Sequence, residues 1–283
     1  MHKSLEPGLL SLNPSLLRTI DLASRHGFGG VDAGAGVLAD ASLDVAAASA
    51  AMEAASICGG YVMLSPIRVP VPDAQWADAL AELPLVALRA EALGFRRAVI
   101  VVMPFHETLP FEQAMESNVR LINQLTNVLD DHGIALGLEY VSPVTRRAPY
   151  HHEFIHNLAG ALNLIARLDS SKAGLLLDSF HWHCAGETAK DLERLCPSKI
   201  VAVHVNDALP IPTAEQTVGE RAMPGATGVI DIAAFMGALT SVGYDGPITC
   251  EPMASAINAL GDIGEDGVVA AASKSLDAIM VAG

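Results

Sequence analysis

Val201-Ala202-Val203-His204-Val205-Asn206-Asp207 is a short apolar run that ends in polar side chains. In an extended strand successive side chains point to opposite faces. Val201, Val203 and Val205 therefore share one face, and Ala202 and His204 share the other. Bulky branched residues suit the face that packs beneath helices. His204 then points to the opposite side, which is the interior if the sheet closes on itself.

Three other runs follow the same rule. In Ala135-Leu136-Gly137-Leu138-Glu139-Tyr140 the leucines face outward, and Gly137 and Glu139 face inward. In Gly174-Leu175-Leu176-Leu177-Asp178, Leu175 and Leu177 go outward and Asp178 inward. In Pro247-Ile248-Thr249-Cys250-Glu251, Ile248 and Cys250 go outward and Glu251 inward. Further strand candidates are 30–33, 60–64 and 98–103, with a weakly marked eighth within 3–12. Helical patterns lie between them at 14–27, 43–58, 74–93, 111–132, 152–169, 188–196, 231–242 and 263–282. Pro84 is expected to break or kink the third. Glycines just past helix ends, as in His26-Gly27 and His132-Gly133, are stop signals.

Alternating strands and helices imply parallel pairing with helical crossovers. Eight such units in 283 residues fit a (β/α)8 TIM barrel of eight parallel strands, a fold of about 250 residues. One domain over residues 1–283 is expected. Gly27-Phe28-Gly29-Gly30 precedes a strand rather than following one, so it is not a dinucleotide fingerprint.

Composition narrows the partners. The formal net charge is −15, which opposes binding to nucleic acid and to anionic membrane surfaces. The adjacent basic pairs, Arg96-Arg97 and Arg146-Arg147, are too few to line a groove. Hydrophobic residues make up 51% of the chain, enough for a large core, yet no charge-free stretch reaches the ~18 apolar residues of a membrane span. Cys58, Cys184, Cys196 and Cys250 form no CxxC pair and read as free thiols. The expected location is the cytoplasm, with no signal peptide.

Active sites of such barrels lie at the C-terminal ends of the strands. Glu139, Asp178, His204 and Glu251 all fall there, supplied by consecutive strands and aimed inward. A single acid at a strand end is usually a cap, and a lone histidine is usually a satisfied core residue. Four in register are hard to explain that way. Three carboxylates cannot all stay ionised in a low-dielectric mouth without a counter-charge. No lysine or arginine ends a neighbouring strand, so one divalent cation is the simplest resolution. Oxygen-rich ligation with one nitrogen suits Mn, Mg or Co and also admits Zn.

At these residues the chain resembles the xylose-isomerase-like barrel superfamily, in its sugar phosphate isomerase/epimerase branch. That resemblance implies Glu139, Asp178, His204 and Glu251 as metal ligands. The Asp-x-x-His element matches Asp178-Ser179-Phe180-His181, and the Arg-x-x-Pro-Gly element matches Arg221-Ala222-Met223-Pro224-Gly225. It implies His181 and Arg221 as binders of substrate oxygens. It also implies a metal-dependent isomerase or epimerase of a small carbohydrate, with Glu139 and Glu251 as the acid/base pair. The alternatives are an inosose-type dehydratase, an abasic-site endonuclease and a non-catalytic barrel subunit. An endonuclease needs further His and carboxylate ligands and a positive face. Homo-oligomers are common in the family. One departure is clear: ketose 3-epimerases carry a second glutamate where this chain has Thr145.

Overall fold

The computed structural model describes residues 1–69 and 73–280. Its barrel strands are β1 (His2–Leu5), β2 (Gly30–Gly34), β3 (Cys58–Val69), β4 (Arg97–Val102), β5 (Ala135–Tyr140), β6 (Gly174–Asp178), β7 (Ile200–Val205) and β8 (Pro247–Cys250). Every pairing is parallel and follows chain order, and β1 pairs with β8 to close the barrel. This is the expected (β/α)8 TIM barrel.

The crossover helices are α1 (Leu16–Arg25), α2 (Val45–Ala55), α3 (Asp73–Ala92), α4 (Phe111–Asp131), α5 (Leu158–Ile165), α6 (Ala189–Leu192), α7 (Ile232–Ser241) and α8 (Gly264–Met280). Gly27 and Gly133 take φ of 70° and 68°, a left-handed backbone that ends α1 and α4 as their positions foretell. Helix α3 runs through Pro84 without a break; buried Leu83, Val86 and Ala90 hold it against the barrel on both sides of the missing N–H. Two expectations need correction. Residues His152–Glu153 are not helical but pair antiparallel with Phe105–His106, and α5 starts only where the Asn157 side chain caps the Gly160 N–H. Helix α2 stops at Ala55 because Ser56 turns left-handed, with φ 55°. The expected last residues of α8, Val281 and Ala282, lie outside the described residues.

Alternation places two layers of side chains. Leu136, Leu138, Leu175, Leu177, Val203 and Ile248 are buried in the large core between barrel and helices. Tyr61, Val99, Leu176 and Ala202 form a separate cluster inside the barrel, with Met63 against it. This plug fills the lumen below the mouth, so polar residues at the strand ends sit on an apolar floor. No described helix is long and apolar enough to cross a membrane, and all four cysteines are free.

The spacing of β6 and β7 depends on Gly174. A Cβ there would lie 2.6 Å from the Lys199 carbonyl oxygen and 2.9 Å from Val201 Cγ2. Gly174→Ala is expected to cost about 1–3 kcal/mol by overpacking. An unchanged thermal midpoint would show that the strands have room to part.

Candidate metal centre

Asp178 closes β6 and caps the short helix Ser179–Cys184. Its Oδ1 accepts from the Phe180 N–H at 2.6 Å and more weakly from the His181 N–H at 3.4 Å. Asn206 Nδ2 donates to the same carboxylate at 3.1 Å. Glu251 follows β8, and its N–H donates to the Val205 carbonyl at 2.9 Å, which extends the ladder by one residue. Glu139 and His204 lie inside β5 and β7. All four side chains are buried. One ligand atom from each can be chosen so that all lie within 4.8 Å of one another. The residues read from the strand ends are therefore brought to one point, and they could hold a metal ion. Among the described residues no other group of His, Cys, Asp and Glu does so.

The fit can be tested atom by atom. His204 Nε2 is 2.9 Å from the Tyr61 hydroxyl. Its Nδ1 faces the acids, 3.2 Å from Glu251 Oε2 and 3.7 Å from Glu139 Oε1. Neither approach has hydrogen-bond alignment, so His204 Nδ1 and Glu139 Oε1 are both buried without a hydrogen-bond partner. Each such orphan costs roughly 1–3 kcal/mol. A cation between them would engage both, and the donor set suits one.

The counter-charge is where the sequence reading needs revision. No strand supplies it, but the loop after β7 does. Arg221 donates to Asp178 Oδ2 at 2.8 Å and to Glu251 Oε2. Its guanidinium lies 4.8 Å over the Phe180 ring, and the Met253 N–H donates to its carbonyl at 3.2 Å. Arg221, expected to meet substrate, is thus also an internal partner of two candidate ligands. The loop is held by Asp207, whose carboxylate accepts N–H groups of Ala208, Thr227, Gly228 and Ile230. Asp207 and Ala222 also exchange backbone hydrogen bonds.

These contacts set the protonation states. Burial, then the charge of Glu251, pushes Glu139 up to about 8. For His204 burial works against the imidazolium, but Glu251, Glu139 and Asp178 outweigh it and lift the group to about 9. Burial works against the charged form of Asp178 too, yet the Arg221 guanidinium holds it well below the usual carboxylate range. Burial, reinforced by Arg221, pulls His181 down to about 3, so it is neutral.

His181 sits beside Arg221. Its Nδ1 lies 3.3 Å from the Ser142 N–H. Its Nε2 is 3.2 Å from a guanidinium nitrogen of Arg221, so both ring nitrogens face donors and a neutral ring can accept from only one of them. Thr145 does not reach the cluster, because its hydroxyl donates to the Gln216 carbonyl at 2.6 Å and ties the loop after β5 to the loop after β7. His106 and His152 are register partners in the small antiparallel pair, outside the cluster. Trp182 packs on Phe235, with ring centroids 5.3 Å apart. Sequence reasoning missed Tyr61, Asn206 and Asp207. The polar pair Asn206-Asp207, which follows the inward His204 after Val205, was the available signal for two of them.

Comparison with known proteins bears on the family and the fold. A family model described as xylose isomerase-like TIM barrel matches residues 20–277. Inosose isomerase of Bacillus subtilis strain 168 is 25% identical over 161 residues, 57% of this chain and 55% of that protein. The chain spans about half the length of the curated relatives it matches. A xylose isomerase domain protein from Alicyclobacillus acidocaldarius has 27% identity and a TM-score of 0.86, over 100% of this chain and 99% of that one. The IOLI protein, solved with a binding zinc atom, has 18% identity and a TM-score of 0.81 over 99% and 98% of the chains. The last likeness bears on the fold alone.

Protons and a cation compete for this cluster. Near neutral pH Glu139 and His204 both hold a proton that metal ligation must displace. Loading is expected to release protons, and affinity is expected to climb with pH until about 8 to 9 is passed. Calorimetry in buffers of different ionisation enthalpy reads both effects. Affinity that stays flat across this range would show that these two groups are not ligands.

Proposed function

The chain belongs to the xylose isomerase-like TIM-barrel family, and we propose that it is a divalent-metal-dependent isomerase or epimerase of a sugar or sugar derivative, working through an enediolate. The observation that carries this reading is the convergence of Glu139, Asp178, His204 and Glu251, with Glu139 Oε1 and His204 Nδ1 left unpartnered. These four would hold one ion. A bound divalent ion supplies Lewis-acid polarisation of the carbonyl and hydroxyl oxygens, worth several kcal/mol. Mn, Mg and Co suit the donor set, and the zinc of the IOLI structure keeps Zn among the ions to test.

Glu139 and Glu251 are the proposed acid/base pair. They lie on opposite sides of His204 in the strand order, as β5 and β8 flank β6 and β7, so their carboxylates approach a shared substrate from different directions. His181 Nε2 and Arg221 are the proposed substrate-binding groups. They lie 3.2 Å apart, so one substrate oxygen could meet both groups.

The substrate class follows from the relatives that act on inososes and from a polar cluster buried on an apolar floor. Thr145 counsels against a ketose 3-epimerase. The position that would bring a second glutamate to the mouth is spent on fastening two loops. The partners proposed are a small carbohydrate and no nucleic acid or membrane, with a cytoplasmic location.

The test follows the substrate proton. Ketoses, aldoses and inososes in deuterated water with Mn, Mg, Co or Zn should reveal one that takes up deuterium at carbon without change of composition. Glu139→Gln and Glu251→Gln should each lower that exchange by roughly 10²–10⁴-fold. Near-wild-type exchange in either variant would sink the pairing, and loss of water from the substrate would assign a dehydratase instead.

A further inference from the structure

On the β8–β1–β2–β3 side of the barrel lies a second polar group that the proposed reaction does not use. Asp32 points into the barrel from β2 and is 1% exposed. Its Oδ1 accepts from the Ser4 hydroxyl of β1 at 2.7 Å and from the Tyr61 N–H of β3 at 2.9 Å. Its Oδ2 accepts from the Thr249 hydroxyl of β8 at 2.7 Å. One carboxylate therefore ties four neighbouring strands together, and every bond is charge-assisted.

The β2–β3 register explains why Asp32 reaches Tyr61. Pairing passes from Val31↔Gly59 to Ala33↔Val62, so β3 spends three steps where β2 spends two. This is a bulge, which unpairs backbone locally and re-aims a side chain. Asp32 fills the gap. A Cβ on Gly60 would lie 2.0 Å from Asp32 Oδ1 and 2.5 Å from Ser4 Oγ, so only glycine lets the carboxylate sit there. The bulge delivers the Tyr61 ring to the barrel plug, fully buried, with its hydroxyl 2.9 Å from His204 Nε2.

A neutral imidazole has one N–H, and which nitrogen carries it depends on what the other nitrogen meets. His204 Nδ1 faces Glu139 and Glu251, and Nε2 faces Tyr61. We propose that Tyr61, held in place by Asp32 across the β3 bulge, is a positioning residue for the metal centre: its hydroxyl oxygen accepts the Nε2 proton of His204 and leaves Nδ1 as the bare donor toward the cation. The inference rests on the metal reading of the four-residue cluster. Metal-bound histidines commonly have such an outer partner, usually a carboxylate or a carbonyl. Here a phenol takes that place, and the carboxylate acts one step back through the backbone of β3.

Tyr61→Phe keeps the ring in the plug and removes only the oxygen. Titration of wild type and variant with Zn and Mn should show affinity weakened roughly ten- to hundred-fold in the variant. A second readout needs no metal. In the ion-free protein labelled with ¹⁵N-histidine, wild-type Nε2 should keep its proton after the ring has lost the other. In Tyr61→Phe the proton should redistribute to Nδ1. Equal affinities in wild type and variant would overturn the role of Tyr61 and leave the metal site standing. No binding of either ion by wild type would overturn the metal reading itself. Should the variant fail to fold, a wild-type Nε2 without its proton would reject the proposal alone.

Discussion

Charge buried at the barrel mouth is the constraint on which the rest of this structure depends. Glu139, Asp178 and Glu251 are brought together with His204 where water is largely excluded. Unpaired, ions in such a place cost several kcal/mol each. The protein answers in layers. Arg221 pairs with two of the acids, Asn206 and helix N–H groups satisfy Asp178, and protons on Glu139 and His204 bring the remainder close to neutrality. The apolar plug of Tyr61, Val99, Leu176 and Ala202 keeps the dielectric low from below. The same closure that makes the cluster costly makes each of its interactions strong.

This arrangement makes the barrel the fixed part of the site and the loops the adjustable part. Three of the four candidate ligands belong to barrel strands, and Glu251 extends the β8 ladder through its N–H. Arg221 belongs to a segment fastened at its two ends by Asp207 and at its middle by the Thr145–Gln216 bond. Strand registers fix where the acids stand, and loop hydrogen bonds fix how much positive charge meets them.

Much of this was legible in the sequence, for a definite reason. Side-chain alternation is a local property with period two, so a polar residue breaking an apolar face shows its direction without any knowledge of the fold. Glu139, Asp178, His204 and Glu251 were found that way. Arg221 could be named from its motif, but its ion pairs depend on a loop shaped by hydrogen bonds from Asp207 across some twenty residues. Asp32, near the end of an early strand, takes no role from the sequence alone, because its partners Ser4 and Thr249 are 28 and 217 residues away in the chain. Tyr61 escaped because the bulge resets the alternation that reveals inward residues elsewhere. His152 was misread as helical since its strand partner, His106, lies far back in the chain.

The bulge beside Gly60 also bears on how this chain can change over generations. A carboxylate wedged where a side chain would otherwise begin makes Gly60, Asp32 and Ser4 a single inherited unit. Enlarging Gly60 alone evicts Asp32, and removing Asp32 alone strands the hydroxyls of Ser4 and Thr249 in the lumen. Passage from one viable arrangement to another therefore requires near-simultaneous exchange at positions far apart in the gene. This side of the lumen is locked by geometry, while the rim of the barrel stays free to diversify.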